Sequence, residues 1–234
     1  MTQAIELFPQ AAADKVLEWA RKLGVSGVDT TLNIIRTMVG DPNALMHMAT
    51  DLRNNSAGQL HHATHNLESA THDLASSWTG AGSDAAQTRI NKYIAVSGDG
   101  AAALNDIAGH VDALLKILTD SYKEGVAHIV NCATALVDFE SSTASLAFDF
   151  LDKASLGDIG KAFVGKAAEA LNKFIKEFGK LFDETVDHFT RISGEIKAVQ
   201  EKIALFEIPD DIGAIATEAA TWEPMPKTHG KHQG

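Results

Sequence analysis

The sequence is poor in several residue types that often point to a function. It has one cysteine and five prolines in 234 residues, and aromatic residues make up 6 % of the chain. The single cysteine excludes an internal disulfide framework. Few aromatic residues, and no β-branched runs bounded by turn residues, argue against a β-sheet fold. Because the strong apolar periods are all close to 3.6 residues, the sequence predicts an all-α protein.

Motifs of catalysis and of cofactor binding are also missing. The sequence contains no Gly-x-Ser-x-Gly elbow, no phosphate-binding loop and no His-Glu-x-x-His pair. We therefore expect a protein that is not an enzyme, with no catalytic residue and no cofactor. Its formal net charge of −11 would repel a polyanion, so nucleic acid is not an expected partner. Cys132 lies in an apolar stretch and is predicted to be a buried, unreactive thiol.

Two long amphipathic patterns flank a turn that contains glycine. Asp41-Pro42 has the composition of a helix start, and Trp78-Thr79-Gly80 and Gly82 interrupt the helical pattern. On each side, apolar and small residues recur in steps of three and four, which places each set on one helix face. The sequence therefore predicts an antiparallel hairpin of two long helices. The first set is Leu45, Ala49, Leu52, Ser56, Leu60, Ala63, Leu67, Ala70 and Leu74, and the second runs from Ala86 through Ile90, Tyr93, Ser97, Ala101, Leu104, Ala108, Val111, Leu115 and Leu118 to Tyr122.

The pattern divides the chain into four predicted regions. Residues 1–40 form short helices, residues 41–140 form the hairpin, and residues 141–206 form a helical region that packs on the hairpin or on a partner. A break is expected at 141–143, and a strong helical pattern resumes near Asp158. The polar end, 207–234, is predicted to be a flexible tail. The expected architecture is an elongated all-α bundle built on the hairpin.

The turn carries a resemblance to a known family. Trp78-Thr79-Gly80 between two amphipathic arms resembles the WXG100 family, small helical hairpins exported by bacterial type VII secretion systems. In the resemblance, Trp78 closes the end of the hairpin and Gly80 allows the backbone to turn. It covers roughly residues 41–124, and no Tyr-x-x-x-Asp/Glu export signal follows the hairpin, so a partner would supply that signal. The resemblance implies a secretion-associated helical protein, either a substrate or a partner of the type VII machinery.

Histidines are concentrated on the first arm of the predicted hairpin. His61, His65, Glu68 and His72 share one helix face, and His61 and His65 have the spacing of a two-ligand metal site. His72 lies about 16 Å along the helix axis from His61, too far to bind the same ion. A solvated polar face is the preferred interpretation, and no metal site is predicted.

The segment 158–182 offers a different interpretation. It combines the phenylalanines Phe163, Phe174, Phe178 and Phe182 with several lysines, a pattern that suits a membrane surface, a partner or a core. Three functions therefore remain open. The first is a non-enzymatic binding protein of type VII secretion, the second is a membrane-binding or pore-forming effector that uses this helix, and the third is a cytoplasmic scaffold or chaperone.

Expected partners and location follow from the same patterns. The partner is a second copy or another helical protein, together with the secretion machinery, and contact with a membrane surface stays open. The N-terminal residues lack the basic start, apolar core and cleavage site of a Sec-type signal peptide. We therefore expect synthesis in the bacterial cytoplasm, followed by secretion without that signal or by association with the cell surface.

Overall fold

The computed structural model describes residues 7–141 and 158–204, and its side chains are described for residues 7–139 and 164–204. In these ranges the chain is helical and contains no strand, so the predicted all-α class is confirmed. The predicted tail, 207–234, and most of the predicted break at 141–143 lie outside the described residues. The helices are α1 (Gln10–Leu23), α2 (Val28–Thr37), α3 (Pro42–Asp51), α4 (Gly58–Ser77), α5 (Ala81–Ser141) and α6 (Asp158–Ala204), and a π-helical segment (Leu52–Ala57) joins α3 to α4.

Local chemistry explains where the short helices begin and end. Gly24, with φ of +68°, ends α1, and its N–H bonds back to the carbonyl groups of Ala20 and Arg21. The carboxylate of Asp41 accepts the N–H groups of Asn43 and Ala44 at 3.0 and 3.1 Å. Asp41 is therefore the N-cap that the Asp-Pro pair predicted for α3.

The described chain divides into two compact units. Of the described residues, unit 1 contains 7–47, 110–141 and 158–195, and unit 2 contains 48–109 and 196–204. The large apolar core belongs to unit 1, where α1, α2 and the adjoining stretches of α5 and α6 pack together. Its most deeply buried large side chains, all less than 2 % exposed, are Val16, Trp19, Val28, Ile35, Ile129, Leu136 and Leu171.

Within unit 1, α5 and α6 run antiparallel. The hydroxyl of Thr185 on α6 donates a 2.8 Å hydrogen bond to Ser121 Oγ on α5, and both residues are buried. Further along, Cys132 Sγ on α5 lies 3.8 Å from the carbonyl oxygen of Ala170 on α6. Since residue numbers rise on one helix as they fall on the other, these contacts define the antiparallel register.

The α2 helix approaches α5 closely at one glycine. Gly125 of α5 is buried, and a Cβ atom built on it would lie 3.1 Å from Cγ2 and 3.2 Å from Cγ1 of Ile35. Ile35 itself is completely buried. A glycine at this position therefore allows the two helices to meet without displacing the isoleucine.

Unit 2 is built from smaller buried side chains. Except for Val199, the buried apolar residues described in it are alanines, and none belongs to the core cluster of unit 1. These alanines are Ala49, Ala57, Ala101, Ala103 and Ala108. Small side chains permit a close approach of helices but supply little apolar area, which limits the hydrophobic stabilisation of this unit.

The first arm departs from the predicted stripe at the π-helical segment. Within these six residues the predicted Ser56 is exposed, and Ala57 is fully buried instead. Beyond it, the predicted Ala63 and Ala70 are exposed, while Thr64 and Thr71 are half-buried instead. On the second arm no residue of the predicted stripe is exposed.

Candidate functional site: the Trp-x-Gly turn and the arm before it

The turn between α4 and α5 is formed by Trp78, Thr79 and Gly80. Trp78 leaves the helix in an extended conformation, with φ of −140° and ψ of 135°, and its N–H still donates to the carbonyl of Leu74 at 2.9 Å. Gly80 has φ of +106°, a backbone conformation that side chains with a Cβ rarely adopt. Thr79 between them is exposed. The backbone therefore reverses between α4 and α5 at a glycine with positive φ.

The Trp78 ring lies against a second glycine, Gly82, in the first turn of α5. A Cβ atom on Gly82 would lie 2.9 Å from Cζ2 and 3.3 Å from Cη2 of the ring. The ring is half-buried rather than fully enclosed. The sequence pattern treated Gly82 only as a helix breaker, but the structure places it inside α5 as the surface on which the tryptophan packs.

Ser83 completes the turn. Its side chain is 1 % exposed, and its hydroxyl donates a 2.9 Å hydrogen bond to the carbonyl oxygen of Trp78. The same hydroxyl accepts a 3.0 Å hydrogen bond from Nε2 of Gln87. Ser83 thus satisfies the carbonyl that the end of α4 leaves without a helical partner.

The arm that precedes the turn, α4, contains no buried residue over its 20 residues. Leu60, Leu67 and Leu74 repeat every seven residues and are half-buried, with Thr64 and Thr71 between them. Each of these threonine hydroxyls donates to the carbonyl four residues earlier, to Leu60 at 2.9 Å and to Leu67 at 2.8 Å. Their polar atoms are therefore satisfied within the helix, and their methyl groups can pack as apolar surface. We call these five residues the leucine seam.

The predicted histidine face of α4 is solvated. His61, His65 and His72 are exposed, and Nδ1 of His65 lies 3.9 Å from a carboxylate oxygen of Glu68. Among the described residues, no group of three or more His, Cys, Asp or Glu side chains is arranged to hold a metal ion. These side chains belong to the polar surface of the arm.

The phenylalanines of α6 occupy different environments. Phe174 and Phe178 are 2 % and 3 % exposed in the core of unit 1, and Phe182 packs against that core with its ring centroid 6.1 Å from that of Phe178. The Phe163 side chain lies outside the described residues. In this conformation, most of the face proposed for a membrane or a partner is covered by the chain itself. No helix within the described ranges has a stretch long and apolar enough to cross a bilayer.

Unit 1 also contains an apolar groove of 240 Å³, which Phe182, Val186 and Phe189 of α6 line on one side. Val186 and Phe189, at 43 % and 47 % exposed, are large apolar side chains open to solvent there. The groove is lined by Ile34, Thr37, Met38, Leu118, Phe182, Thr185, Val186 and Phe189.

The cysteine is buried, as its sequence context predicted. Cys132 is 6 % exposed, and burial raises the pKa of its thiol to about 12. A thiol with such a pKa stays protonated at neutral pH and is a poor nucleophile or metal ligand. Cys132 therefore belongs to the packing between α5 and α6.

Comparisons with known proteins do not assign the chain to a family. No family model matches the sequence, and searches of curated proteins and of solved structures find no match either.

Proposed function

We propose that this chain is a non-enzymatic binding protein whose predicted hairpin, residues 41–140, associates through α4 with a helix of another chain. We further propose that it is a WXG100-like substrate or partner of a bacterial type VII secretion system. The observation that carries the proposal is the leucine seam, because α4 presents leucines at regular spacing and buries none of them fully. A pair of helices has one mutual contact surface, so a third helix can cover what remains.

The spacing of the seam suits packing between helices. A leucine every seven residues with a smaller residue between is the pattern of a coiled-coil face. Ala63 and Ala70, also seven residues apart, are exposed on the flank of the seam. Short side chains at this place let a partner helix approach closely enough to contact the leucines.

The contrast between the two units supports the same surface. Unit 1 has a core of large side chains, in which Phe174 and Phe178 are buried by other residues of the same chain. In unit 2 the described buried side chains are mostly alanine, and the leucines of α4 remain half-exposed. Covering them with a partner would remove apolar surface from water, at about 25 cal/mol for each Å².

The turn supports the link to secretion. Trp78 and Gly80 match the Trp-x-Gly pattern of the resemblance. The Trp78 ring lies against Gly82, and the Ser83 hydroxyl donates a hydrogen bond to the Trp78 carbonyl oxygen. A half-buried tryptophan at the tip of a hairpin both stabilises the turn and leaves part of its ring accessible to a partner.

The binding test uses the purified full chain, alone and with a second Trp-x-Gly hairpin protein if its host encodes one. Sedimentation measures self-association, and titration calorimetry measures affinity for the second protein. Ala63→Glu/Ala70→Glu introduces charge beside the seam at exposed helix positions, so α4 keeps its structure while the partner's approach is blocked. We expect at least a tenfold loss of affinity.

The matched control is Ser69→Glu, which adds the same charge at an exposed position on the side of α4 opposite the seam. We expect it to bind like the parent. Equal affinities for the parent and Ala63→Glu/Ala70→Glu, or equal losses in that variant and the control, would rule out the seam as the binding surface.

The link to secretion has a separate test. The chain is assayed in culture medium from its host and from a strain that lacks the type VII ATPase. Loss of the extracellular chain in the deletion strain, with normal intracellular levels, is the expected result. Export that continues without the ATPase, or a chain that stays inside both strains, would reject the secretion proposal and leave the helix-binding proposal standing.

A further inference from the structure

The side chains that line the apolar groove of unit 1 carry no charge, and the two hydroxyl groups among them are already hydrogen-bonded. Thr37 Oγ1 donates to the carbonyl oxygen of Asn33 at 2.9 Å. The hydroxyl of Thr185 is bonded to Ser121 Oγ, 2.8 Å away. The groove therefore suits an apolar group better than a polar ligand.

The groove is small and extends along α6. Its volume of 240 Å³ is below the roughly 300–1,000 Å³ of pockets that hold a small-molecule ligand or cofactor. Phe182 and Phe189, which both line it, are seven residues apart, or about 10 Å along the helix axis. A space of this size and length suits one or two apolar side chains from successive turns of a helix.

The open side of the groove is apolar as well. Val186 and Phe189 of α6 are 43 % and 47 % exposed, and Ile34 and Met38, which α2 contributes to the lining, are half-buried. Apolar side chains from two helices thus form one contiguous patch rather than single exposed residues. Contiguous patches of this kind mark interaction sites.

Two carboxylates border the groove on α6. Asp183 directly follows the lining residue Phe182, and Asp187 directly follows the lining residue Val186, so each lies about 100° around the helix from its neighbour. Both are exposed, and neither forms an ion pair or a side-chain hydrogen bond with another residue in the described ranges. Since they are four residues apart, the two carboxylates share one side of α6. The groove therefore has an acidic border that the chain does not neutralise.

The basic residues nearest to this border on α6 and the basic residue of α2 are held by other groups. Lys180 pairs with Glu184 at 3.6 Å, and Arg191 pairs with Glu195 at 2.7 Å. Arg36 on α2 donates a 2.9 Å hydrogen bond to a glutamine of α1. The two aspartates can therefore contact an incoming basic group without competition from these three cations.

We propose that the groove docks a basic amphipathic helix of a partner protein. One or two apolar side chains of that helix enter the groove, and Lys or Arg residues beside them, four residues apart, contact Asp183 and Asp187. Laying the apolar face of a helix into a groove is a common mode of recognition, and opposite charges at the border fix its orientation. The net charge of −11 of the whole chain adds to the attraction. This surface shares no residue with the leucine seam.

The test measures binding of a synthetic amphipathic peptide to the full chain by titration calorimetry at about 0.15 M salt, where long-range attraction is screened. The peptide has a leucine face bordered by lysines four residues apart, and in a second peptide every lysine is replaced by glutamate. We expect only the lysine peptide to bind. In Asp183→Asn/Asp187→Asn its affinity should fall roughly three- to tenfold, from the loss of two exposed ion pairs. In Phe189→Ser, at an exposed helix position, the affinity should fall at least about tenfold, because an apolar contact of the groove is lost.

Two control variants localise the binding. Asp99→Asn/Asp106→Asn removes two charges from exposed positions of α5 outside unit 1 and should bind like the parent. The seam variant Ala63→Glu/Ala70→Glu should also keep its affinity, since its changes lie on α4. Circular dichroism checks that each variant is folded.

Four outcomes would overturn the docking site. They are no binding of the lysine peptide, equal binding of the glutamate peptide, equal losses in Asp183→Asn/Asp187→Asn and in its charge control, and a loss in the seam variant, which would place the peptide on α4. Self-association of the free chain that Phe189→Ser abolishes would assign the groove to a second copy instead.

Discussion

At the scale of single residues, the contact between Trp78 and Gly82 is the most specific feature of the turn. Gly82→Ala places a Cβ atom 2.9 Å from the indole ring, so the ring has to move or lose its packing. We expect the substitution to lower the free energy of unfolding by about 1–2 kcal/mol, a typical cost of overpacking. Urea denaturation followed by circular dichroism gives the value.

Gly82→Ala should change the free energy of unfolding in the opposite direction when the indole ring is absent. In a Trp78→Ala background, Gly82→Ala removes the flexibility of a helical glycine without a clash, and we expect a gain of up to about 0.5–1 kcal/mol. Thr79→Ala, at an exposed position of the turn, serves as the control and should be nearly silent. If Gly82→Ala costs the same with and without the ring, the two residues are not coupled.

Cys132 should be inert in the folded protein. Because burial raises its pKa to about 12, we expect no reaction with a thiol reagent at pH 8 until the chain is denatured. Between about pH 9 and pH 12 the unfolded state releases this proton and the folded state keeps it, so the stability due to the neutral thiol falls as pH rises.

The comparison with Cys132→Ala isolates this effect from other titrating groups. Between pH 9 and pH 10.5 the parent should lose roughly 1.5 kcal/mol more than the variant, measured by urea denaturation. Parallel stability curves for the two proteins, or fast labelling of the native thiol, would show that the thiol ionises freely in the fold.

At the scale of elements, the packing of α2 on α5 depends on Gly125. Gly125→Ala brings a Cβ atom to 3.1 Å from Ile35, and we expect a loss of about 1–2 kcal/mol in the free energy of unfolding. Gly109→Ala is the matched control on the same helix, because Gly109 is exposed and a Cβ there meets no atom within 4 Å. The control should be neutral or stabilising by up to about 1 kcal/mol.

A double-mutant comparison with Ile35→Ala shows whether crowding against Ile35 causes the loss of stability in Gly125→Ala. In an Ile35→Ala background the crowding is gone, so Gly125→Ala should cost nothing or stabilise the chain. A loss that persists in that background would mean that Gly125 is needed for its backbone rather than for the approach of α2.

The elements also show how far sequence reasoning extends. The periodicity predicted α-helices, the start of α3 at Asp41-Pro42 and the inward face of the second arm, because these depend on neighbours along one helix. It missed the shift from Ser56 to Ala57, since nothing in the composition of Leu52–Ala57 distinguishes a π-helical segment from an ordinary turn. It also missed the packing of the Trp78 ring on Gly82, because that contact depends on the conformation of the turn between α4 and α5.

Contacts between segments that are distant in the chain could not be predicted from the sequence for a related reason. The sequence showed a row of histidines on one face of α4, and in the structure these side chains are solvated. His110 and His128, by contrast, each lie close to a glutamate more than 45 residues away in the chain. A pattern along one helix identifies a face but not the helix that covers it. The two carboxylate partners on α6 therefore required the three-dimensional structure.

At the scale of the whole molecule, the two units differ in what they leave for a partner. Unit 1 buries large side chains such as Trp19, Ile129 and Leu171 in its own core. Unit 2 presents the leucine seam of α4, together with a turn whose tryptophan is half-buried. The described residues of unit 2 include no large buried side chain, and the proposed association would cover the half-buried leucines of α4 in this unit.

Hydrogen exchange of α4 tests this association most directly. The measurement compares the amides from Leu60 to Leu74 in the free chain and in the complex that the binding test identifies, with a second copy or with another helical protein. Binding to the seam predicts low protection of α4 in the free chain, because local opening there exposes little buried apolar surface. It also predicts at least a tenfold rise on binding, with α1 and α2 unchanged. Strong protection of α4 in the free chain, or a rise confined to unit 1 on binding, would contradict a partner site on the leucine seam.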